Sequence, residues 1–371
     1  MIKNHLEYLV FSDVHLGNKR NKTEDICKNI MSMIRGNKNK LDVIFIAGDL
    51  TDELLNFNSE DVHYIILFIN DLCQYCLSNN IKLRLLEGTP SHEWRQSKTL
   101  ELILSLISKK LDFKYIDTLS IEYISDLDIN VLYVPDEWND NAETTFSQVL
   151  TLLKQNNLEQ VDLSIMHGLF DYQLKEISKN IKHNENSYLQ ITKYFINIGH
   201  IHTFSTYERI IAQGSVDRLS HNEEEPKGMV RCKIYKSGEM SFDFIENKNA
   251  KIFKTIELKN NDPDKNIKKI EKIIKDFPID SYVRIKAKKD NPIYMSLEQL
   301  KIRYPEFNFT RKSIEDHEEE RKIESSLDNN YKPININEDN ISTILIDQIN
   351  SKYQLNQNKL LLLNEIIQAN R

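Results

Sequence analysis

An α/β fold is the class this sequence predicts, and three observations predict it. Short apolar runs alternate with amphipathic stretches through the first two thirds of the chain. The runs are rich in β-branched and aromatic residues, and each ends in Gly, Pro, Asp or His. Runs of that kind read as buried strands, and their alternation with helical segments reads as an α/β domain.

Taken in order, LEYLVFS, DVIFIAG, KLRLLEG, INVLYVP, VDLSIMHG and YFINIGH are the predicted strands. Helical patterns over 24–35, 61–78 and 144–155 lie between them. From residue 251 the texture changes. KIFKTIEL, a Lys-rich helix over 263–276 and SYVRIKAK predict a strand–helix–strand module, its helix ended by a proline that cannot continue it. A polar stretch follows, and the tail predicts two helical segments in which Leu360, Leu363 and Ile367 share one face. The expected domains are therefore 1–248, a basic module over 249–312, a linker over 313–338 and a helical tail over 339–371.

Composition bounds the function. The chain has 371 residues, 40% hydrophobic and 28% charged, which suits a globular protein with more than one module. No apolar run approaches the roughly 18 residues of a membrane span. The first residues lack a secretion pattern, so a cytoplasmic location and no membrane partner are expected. Cys73 and Cys76 have CxxC spacing but sit within a helical pattern with no second pair to complete a zinc site, so they read as core thiols. A net charge of −7 argues against polyanion binding by the whole surface, although 248–290 carries an excess of Lys and Arg.

Five signals carry the chemistry: SDVHLG (Asp13, His15), GDLTD (Asp49, Asp52), GTPSHEW (His92), MHG (His167) and GHIHT (His200, His202). Each alone is weak. Together they set Asp13, Asp49, His167 and His200 at strand ends, the edge where ligands gather in open α/β sheets. Mixed carboxylate and imidazole donors suit first-row metals such as Mn, Fe, Zn or Ni. Of the ten histidines, five fall in these motifs, which favours a shared metal site over five unrelated ones.

This ordered set resembles the phosphoesterase signature of the calcineurin-like metallophosphoesterases, over residues 6–205. The resemblance implies a two-sheet sandwich flanked by helices and two divalent metal ions, manganese foremost. It gives Asp13, His15 and His202 to one metal, His167 and His200 to the other, and Asp49 to both. Two cations roughly 3.5–4 Å apart then bind phosphate oxygens and activate a water for in-line attack. His92 and Asp52 are the implied catalytic residues: His92 protonates or stabilises the leaving oxygen, and Asp52 orients a ligand. The third motif departs from the family pattern of Gly-Asn-His and an acid. Gly88-Thr89-Pro90-Ser91-His92-Glu93 has two extra residues and no Asn, so one position on the second metal is left to a hydroxyl (Ser91 or Thr89), a backbone carbonyl or a water.

Within that superfamily the chain most resembles the SbcD-type nuclease subunits of double-strand-break repair complexes, and its length and short tail resemble compact phage-encoded members. GSVDRLSHNEEEPKG is similar to their segment at Gly214, Ser215, Arg218, Glu225, Lys227 and Gly228. The basic module stands where that family has a DNA-capping domain, and the helical tail where it docks an SbcC-type coiled-coil ATPase. The implied function is a metal-dependent DNA exonuclease and endonuclease acting as a homodimer. A small-molecule or protein phosphoesterase of the same fold, and an SbcD-like scaffold with weakened catalysis, are the alternatives.

Overall fold

Successive side chains of a strand point to opposite faces, so a run that is apolar at every position must be covered on both. In strand β1 (His5–Phe11), Tyr8 and Val10 enter one apolar core and Leu9 and Phe11 another, all four fully buried. The computed structural model describes residues 5–314, apart from 38–39, 57, 100, 102–109 and 174–180. The first sheet joins β1 to β2 (Val43–Ala47), β3 (Lys82–Leu86), β4 (Phe113–Ile116) and the hairpin β13 (Gly228–Tyr235)–β14 (Met240–Glu246). Its order is β14-β13-β1-β2-β3-β4, with β1 to β4 parallel and the hairpin antiparallel to β1. The second sheet contains β5 (Ser120–Ile124), β6 (Ile129–Val134), β7 (Leu163–His167), β10 (Ile196–Gly199), β11 (Ser205–Tyr207) and β12 (Ile210–Ala212). Its order is β11-β12-β10-β7-β6-β5, parallel from β6 through β12. A short pair, β8 (Leu169–Phe170) and β9 (Lys182–His183), stands apart from both.

The two sheets face each other across a core that includes Tyr8, Phe45, Tyr133, Ile165 and Val230. Helices α1 (Thr23–Gly36) and α2 (Glu60–Asn79) cover the outer face of the first sheet through Ile26, Ile30, Phe68 and Leu72. A short helix α3 (Pro90–Glu93) follows β3. The outer face of the second sheet is covered by α4 (Ala142–Gln155) and α5 (Glu185–Ile191), through Val149, Leu153 and Tyr188. The coarse class is α/β with two mixed sheets between helices. All four cysteines are free and buried, and burial pushes the Cys73 and Cys76 thiols up to about 12, so they pack as small apolar groups.

A smaller sheet follows: β15 (Phe253–Glu257), α6 (Pro263–Ile274), β16 (Tyr282–Ala287), α7 (Pro292–Met295), α8 (Leu297–Arg303) and β17 (Asn308–Ser313), in strand order β15-β16-β17. Pro263 opens α6 and the Asp262 carboxylate accepts from the amides of Asp264 and Lys265, a start that needs no further partner. Ile270, Ile274, Val283, Ile285, Leu300 and Phe309 form its core, while Lys265, Lys268, Lys269 and Lys272 are exposed. The predicted strand–helix–strand module thus gains a third strand. NFTRKS was not legible as one because polar side chains occupy its exposed positions.

Several contacts tie this sheet to the sandwich, the Thr255 amide donating to the Glu224 carboxylate at 2.9 Å among them. The Tyr282 hydroxyl donates to the Arg20 carbonyl at 2.9 Å, and Arg218 Nη1 donates to the Lys251 carbonyl at 3.2 Å. The described residues up to Lys312 belong to one compact unit. The helical tail over 339–371 and almost all of the linker over 313–338 lie outside the described residues. Among the described residues, no helix is long and apolar enough to cross a membrane.

Candidate metal centre

Six parallel strands end at one edge of the sandwich, and each delivers a polar side chain there. Asp13 and His15 follow β1, Asp49 follows β2, Thr89 and His92 follow β3, Asp136 follows β6, His167 ends β7 and His200 follows β10. The backbone at this edge is unusual. Asp13, His15, Asp49 and His200 have φ of 52°, 51°, 52° and 99°, in the left-handed region that costs a non-glycine residue about 1–3 kcal/mol each. Such conformations persist only where surrounding contacts enforce them. Here the amides of Val14 and His15 donate to the Asp49 carbonyl at 2.8 and 3.1 Å, and the Asp13 amide donates to the Gly48 carbonyl at 3.1 Å. Glycine is required at Gly88, where a Cβ would lie 2.2 Å from the Asp49 amide nitrogen.

The first cluster is Asp13, His15 and His202, whose donor atoms lie close enough together to share one ion. His15 Nε2 and His202 Nε2 are 3.2 Å apart, and His202 Nε2 is 3.8 Å from Asp13 Oδ1. The far nitrogens face carboxylates: Asp52 Oδ1 is 3.0 Å from His15 Nδ1, and Glu223 Oε1 is 3.3 Å from His202 Nδ1. A carboxylate draws the ring proton to Nδ1 and leaves a lone pair on Nε2. Two such lone pairs 3.2 Å apart repel unless a proton or a cation lies between them. Donors about 2.0–2.2 Å from a first-row cation stand roughly 3 Å or slightly more from one another, so the residues present fit a metal ion.

Asp49, His167 and His200 form the second cluster. Asp49 Oδ2 is 3.3 Å from His167 Nε2 and 3.7 Å from His15 Nε2, which makes it the carboxylate common to both halves. The His167 Nδ1–H donates to the Ala47 carbonyl at 2.7 Å, so its Nε2 faces the cluster. Burial alone lowers the His167 pKa. Asp49, Asp13 and Asp136 outweigh it and hold the ring well above the ordinary imidazole value, so positive charge is favoured at this point. The same attraction, from His167 and then His15, overcomes burial at Asp49 and holds its carboxyl below the usual range.

His92 stands beside both. Its Nδ1–H donates to the Asp52 carbonyl at 2.6 Å, and its ring meets that of His15 edge-on with centroids 5.0 Å apart. It also lies within ligating reach of His15 and Asp49. Asp52 therefore touches two site residues, His15 through its carboxylate and His92 through its carbonyl. Glu93 pins the loop from below: its carboxylate accepts from the amides of Leu50 at 2.6 Å and Gly88 at 2.7 Å. Burial, and then Glu87 and Asp49, push the Glu93 carboxyl up to about 8.

Every site residue read from the sequence reaches this edge. Asp136 and Glu223 were missed, while Thr89 was one of the two hydroxyls the altered third motif offered. Asp136 Oδ2 lies 3.4 Å from His200 Nδ1, and the Thr89 hydroxyl lies among Asp49, Asp136, His167 and His200. Glu223 orients His202 and is itself held by Lys227, 3.0 Å away. The His202 hydrogen bond and the Lys227 ammonium overcome burial and carry the Glu223 carboxyl down to about 2. Lys227 is almost wholly buried and also donates to the His202 carbonyl at 2.8 Å, so the charged loop after GHIHT is a support behind a ligand.

A cavity of about 470 Å³ opens over His15, Asp49, His92, His200 and His202 and is rimmed by Asn18, Lys19 and Arg20. A second of similar volume shares that rim and runs to Lys22, Lys251 and Tyr282 of the smaller sheet's side. The arrangement suits hydrolysis of an anionic ester: a dense set of metal donors, a histidine beside them, and cations at the mouth.

No family model and no curated protein matches this chain. Among solved structures, GAP50, the anchor in the inner membrane complex of Plasmodium, is 13% identical, with 67% of this chain and 87% of that one covered and a TM-score of 0.43. A cold-active protein-tyrosine phosphatase of a psychrophilic Shewanella species is 14% identical, with 64% and 80% covered and a TM-score of 0.32. A third solved chain is 10% identical over 65% of this chain and 99% of its own, at a TM-score of 0.39. At these scores the likeness assigns neither a fold family nor an activity.

Proposed function

We propose that this chain is a two-metal phosphodiesterase of the calcineurin-like type, acting on DNA as the nuclease subunit of an SbcC–SbcD-like complex. The observation that carries the reading is the pair of carboxylate–imidazole clusters joined by Asp49 at one sheet edge. The two-sheet sandwich is consistent with that fold. Lys19 and Arg20 at the cavity mouth favour a polyanion, since such contacts hold phosphates without reading sequence.

Asp13, His15 and His202 would hold one cation and His167 and His200 the other, with Asp49 between them. Bound there, two divalent cations would supply the Lewis acidity that polarises phosphoryl oxygens and acidifies an attacking water. The chain's own residues do the rest. His92, with its Nδ1 proton committed to the Asp52 carbonyl, would in its imidazolium form pass the Nε2 proton to the departing oxygen. Asp52 and Glu223 fix the ring orientations of His15 and His202. Lys19 and Arg20 would hold the phosphates flanking the scissile one. The reading carries with it manganese as the preferred metal, a coiled-coil ATPase partner and a homodimer.

The test is hydrolysis of a labelled linear duplex by purified protein with manganese, magnesium or chelator. Manganese-dependent degradation is expected. Efficient hydrolysis of nucleotides or phosphoproteins, with no duplex binding, would instead make it a phosphoesterase of smaller substrates. Duplex binding without cleavage under any metal would favour the scaffold.

A further inference from the structure

The second cluster holds one acid that lies outside the ligand set implied by the sequence. Asp136 follows β6, and its side chain is only 10% exposed at the cluster's edge. Its Oδ2 atom is 3.4 Å from His200 Nδ1 and 3.2 Å from the Thr89 hydroxyl. That hydroxyl is also 3.1 Å from Asp49 Oδ2, 3.3 Å from His200 Nδ1 and 3.5 Å from His167 Nε2. Four donor atoms from four different strands therefore converge within 3.5 Å of one point. A hydroxyl carries a single proton and answers one of four acceptors at a time. A divalent cation among Asp49, His167 and His200 would draw in Asp136 from the edge as a further oxygen donor, and oxygen and imidazole donors mixed in this way suit a first-row metal.

We propose that Asp136 is a ligand of the cation held by Asp49, His167 and His200, and that Thr89 positions both carboxylates, its amide donating to Asp49 and its hydroxyl to Asp136. The proposal rests on the two-cation reading above and specifies how its second half is completed in a loop with no amide side chain. A neutral donor there would leave the pair of cations with two carboxylates, Asp13 and Asp49. Asp136 makes three. The added negative charge strengthens retention of the second cation and tempers its pull on phosphate oxygens, so the site is expected to hold manganese firmly and turn over slowly.

The experiment measures manganese stoichiometry by equilibrium dialysis of chelator-stripped protein, alongside the electron paramagnetic resonance signal of a coupled manganese pair. Wild type should bind two ions and give the coupled signal. Asp136→Ala should bind one ion tightly, with the second weakened about 10- to 100-fold or lost and the coupled signal gone. Asp136→Asn, which keeps an oxygen donor without the charge, should fall between them. Glu137→Ala, removing the neighbouring exposed acid, should match wild type. Unchanged two-ion binding by folded Asp136→Ala, verified by circular dichroism, would overturn the proposal and leave the two-cation reading standing. Fewer than two ions on wild type would overturn both.

Discussion

The two halves of the metal centre are built from the same residue types but braced differently. In the first, each imidazole is backed by a carboxylate: His15 by Asp52 and His202 by Glu223. Those acids are in turn held, Asp52 by Asn18 and Glu223 by Lys227. In the second half, His167 leans on a backbone carbonyl, and His200 presents Nδ1 to Asp136 and Thr89. In depth the halves match: Asp13 and His167 are wholly buried, while His200 and His202 are each partly open, at 26% and 28% exposure. A carboxylate behind an imidazole raises its basicity, and a carbonyl does so less. The first half thus gains ligand strength from support behind the ring, and the second gains it from charge within the cluster itself.

That difference can be broken most completely at the group both halves share. Asp49→Ala is expected to abolish binding of both cations and to reduce DNA hydrolysis by roughly 10³-fold or more, read by metal stoichiometry and by cleavage of labelled duplex. A fully active Asp49→Ala enzyme would reject the site. His92→Ala is the next largest effect. Both cations should stay while turnover falls about 10²- to 10⁴-fold, and loss of an ion in that variant would make His92 a ligand beside His15 and Asp49.

The contrast sharpens with a change behind one half only. Glu223→Gln keeps the shape but loses the charge facing His202, so affinity for one cation should fall about 10- to 100-fold while the other is unchanged. Equal weakening of both ions in a titration would show that the halves are not independently braced. The effect furthest from the ligands lies beneath the loop. Glu93 has an ordinary pKa of 4.5 and is pushed up to about 8 in the fold, so the folded protein keeps a proton that the unfolded chain releases. Stability of the metal-free protein should therefore be greatest below 4.5 and decline as pH rises towards about 8. The slope is up to about 1.4 kcal/mol per pH unit. Glu93→Gln should flatten that profile in chelator-containing melts, and an unaltered slope would place the titration elsewhere.

Much of this site was legible because its residues sit where an apolar run stops. Asp13, Asp49, His167 and His200 each follow or end a parallel strand, so strand reading alone assembled them at one edge. What stayed hidden had no such punctuation. Asp136 follows Val-Pro with nothing beside it to mark a ligand, and its meaning comes from β6 lying next to β7 in the sheet. Thr89 and Ser91 were equal candidates in sequence, and only the turn pinned by Glu93 shows that the Thr89 hydroxyl enters the cluster. Glu223 and Lys227 belong to a charged stretch that looks solvated in sequence, yet one is largely buried and the other almost completely so. The left-handed backbone at four site residues has no signature in residue type at all. In the fold, the hairpin β13–β14 was the main omission, since its pairing with β1 joins residues more than two hundred positions apart.

That pairing sets an order of birth for the site. Strand β1, which leads to Asp13 and His15, leaves the ribosome first, but one of its two neighbours in the sheet is Gly228–Tyr235. Until that strand is made, β1 has an unpaired edge beside the site, and Lys227 is not there to anchor His202. A nascent chain that carries every metal donor is still incomplete by some thirty residues. Folding of the site must wait for a contact of long sequence separation, which is slow to form. The aligned cluster therefore arrives late and all at once, close to when the sandwich closes, and a chain cut short before Gly228 would carry the candidate ligands without the frame that aligns them.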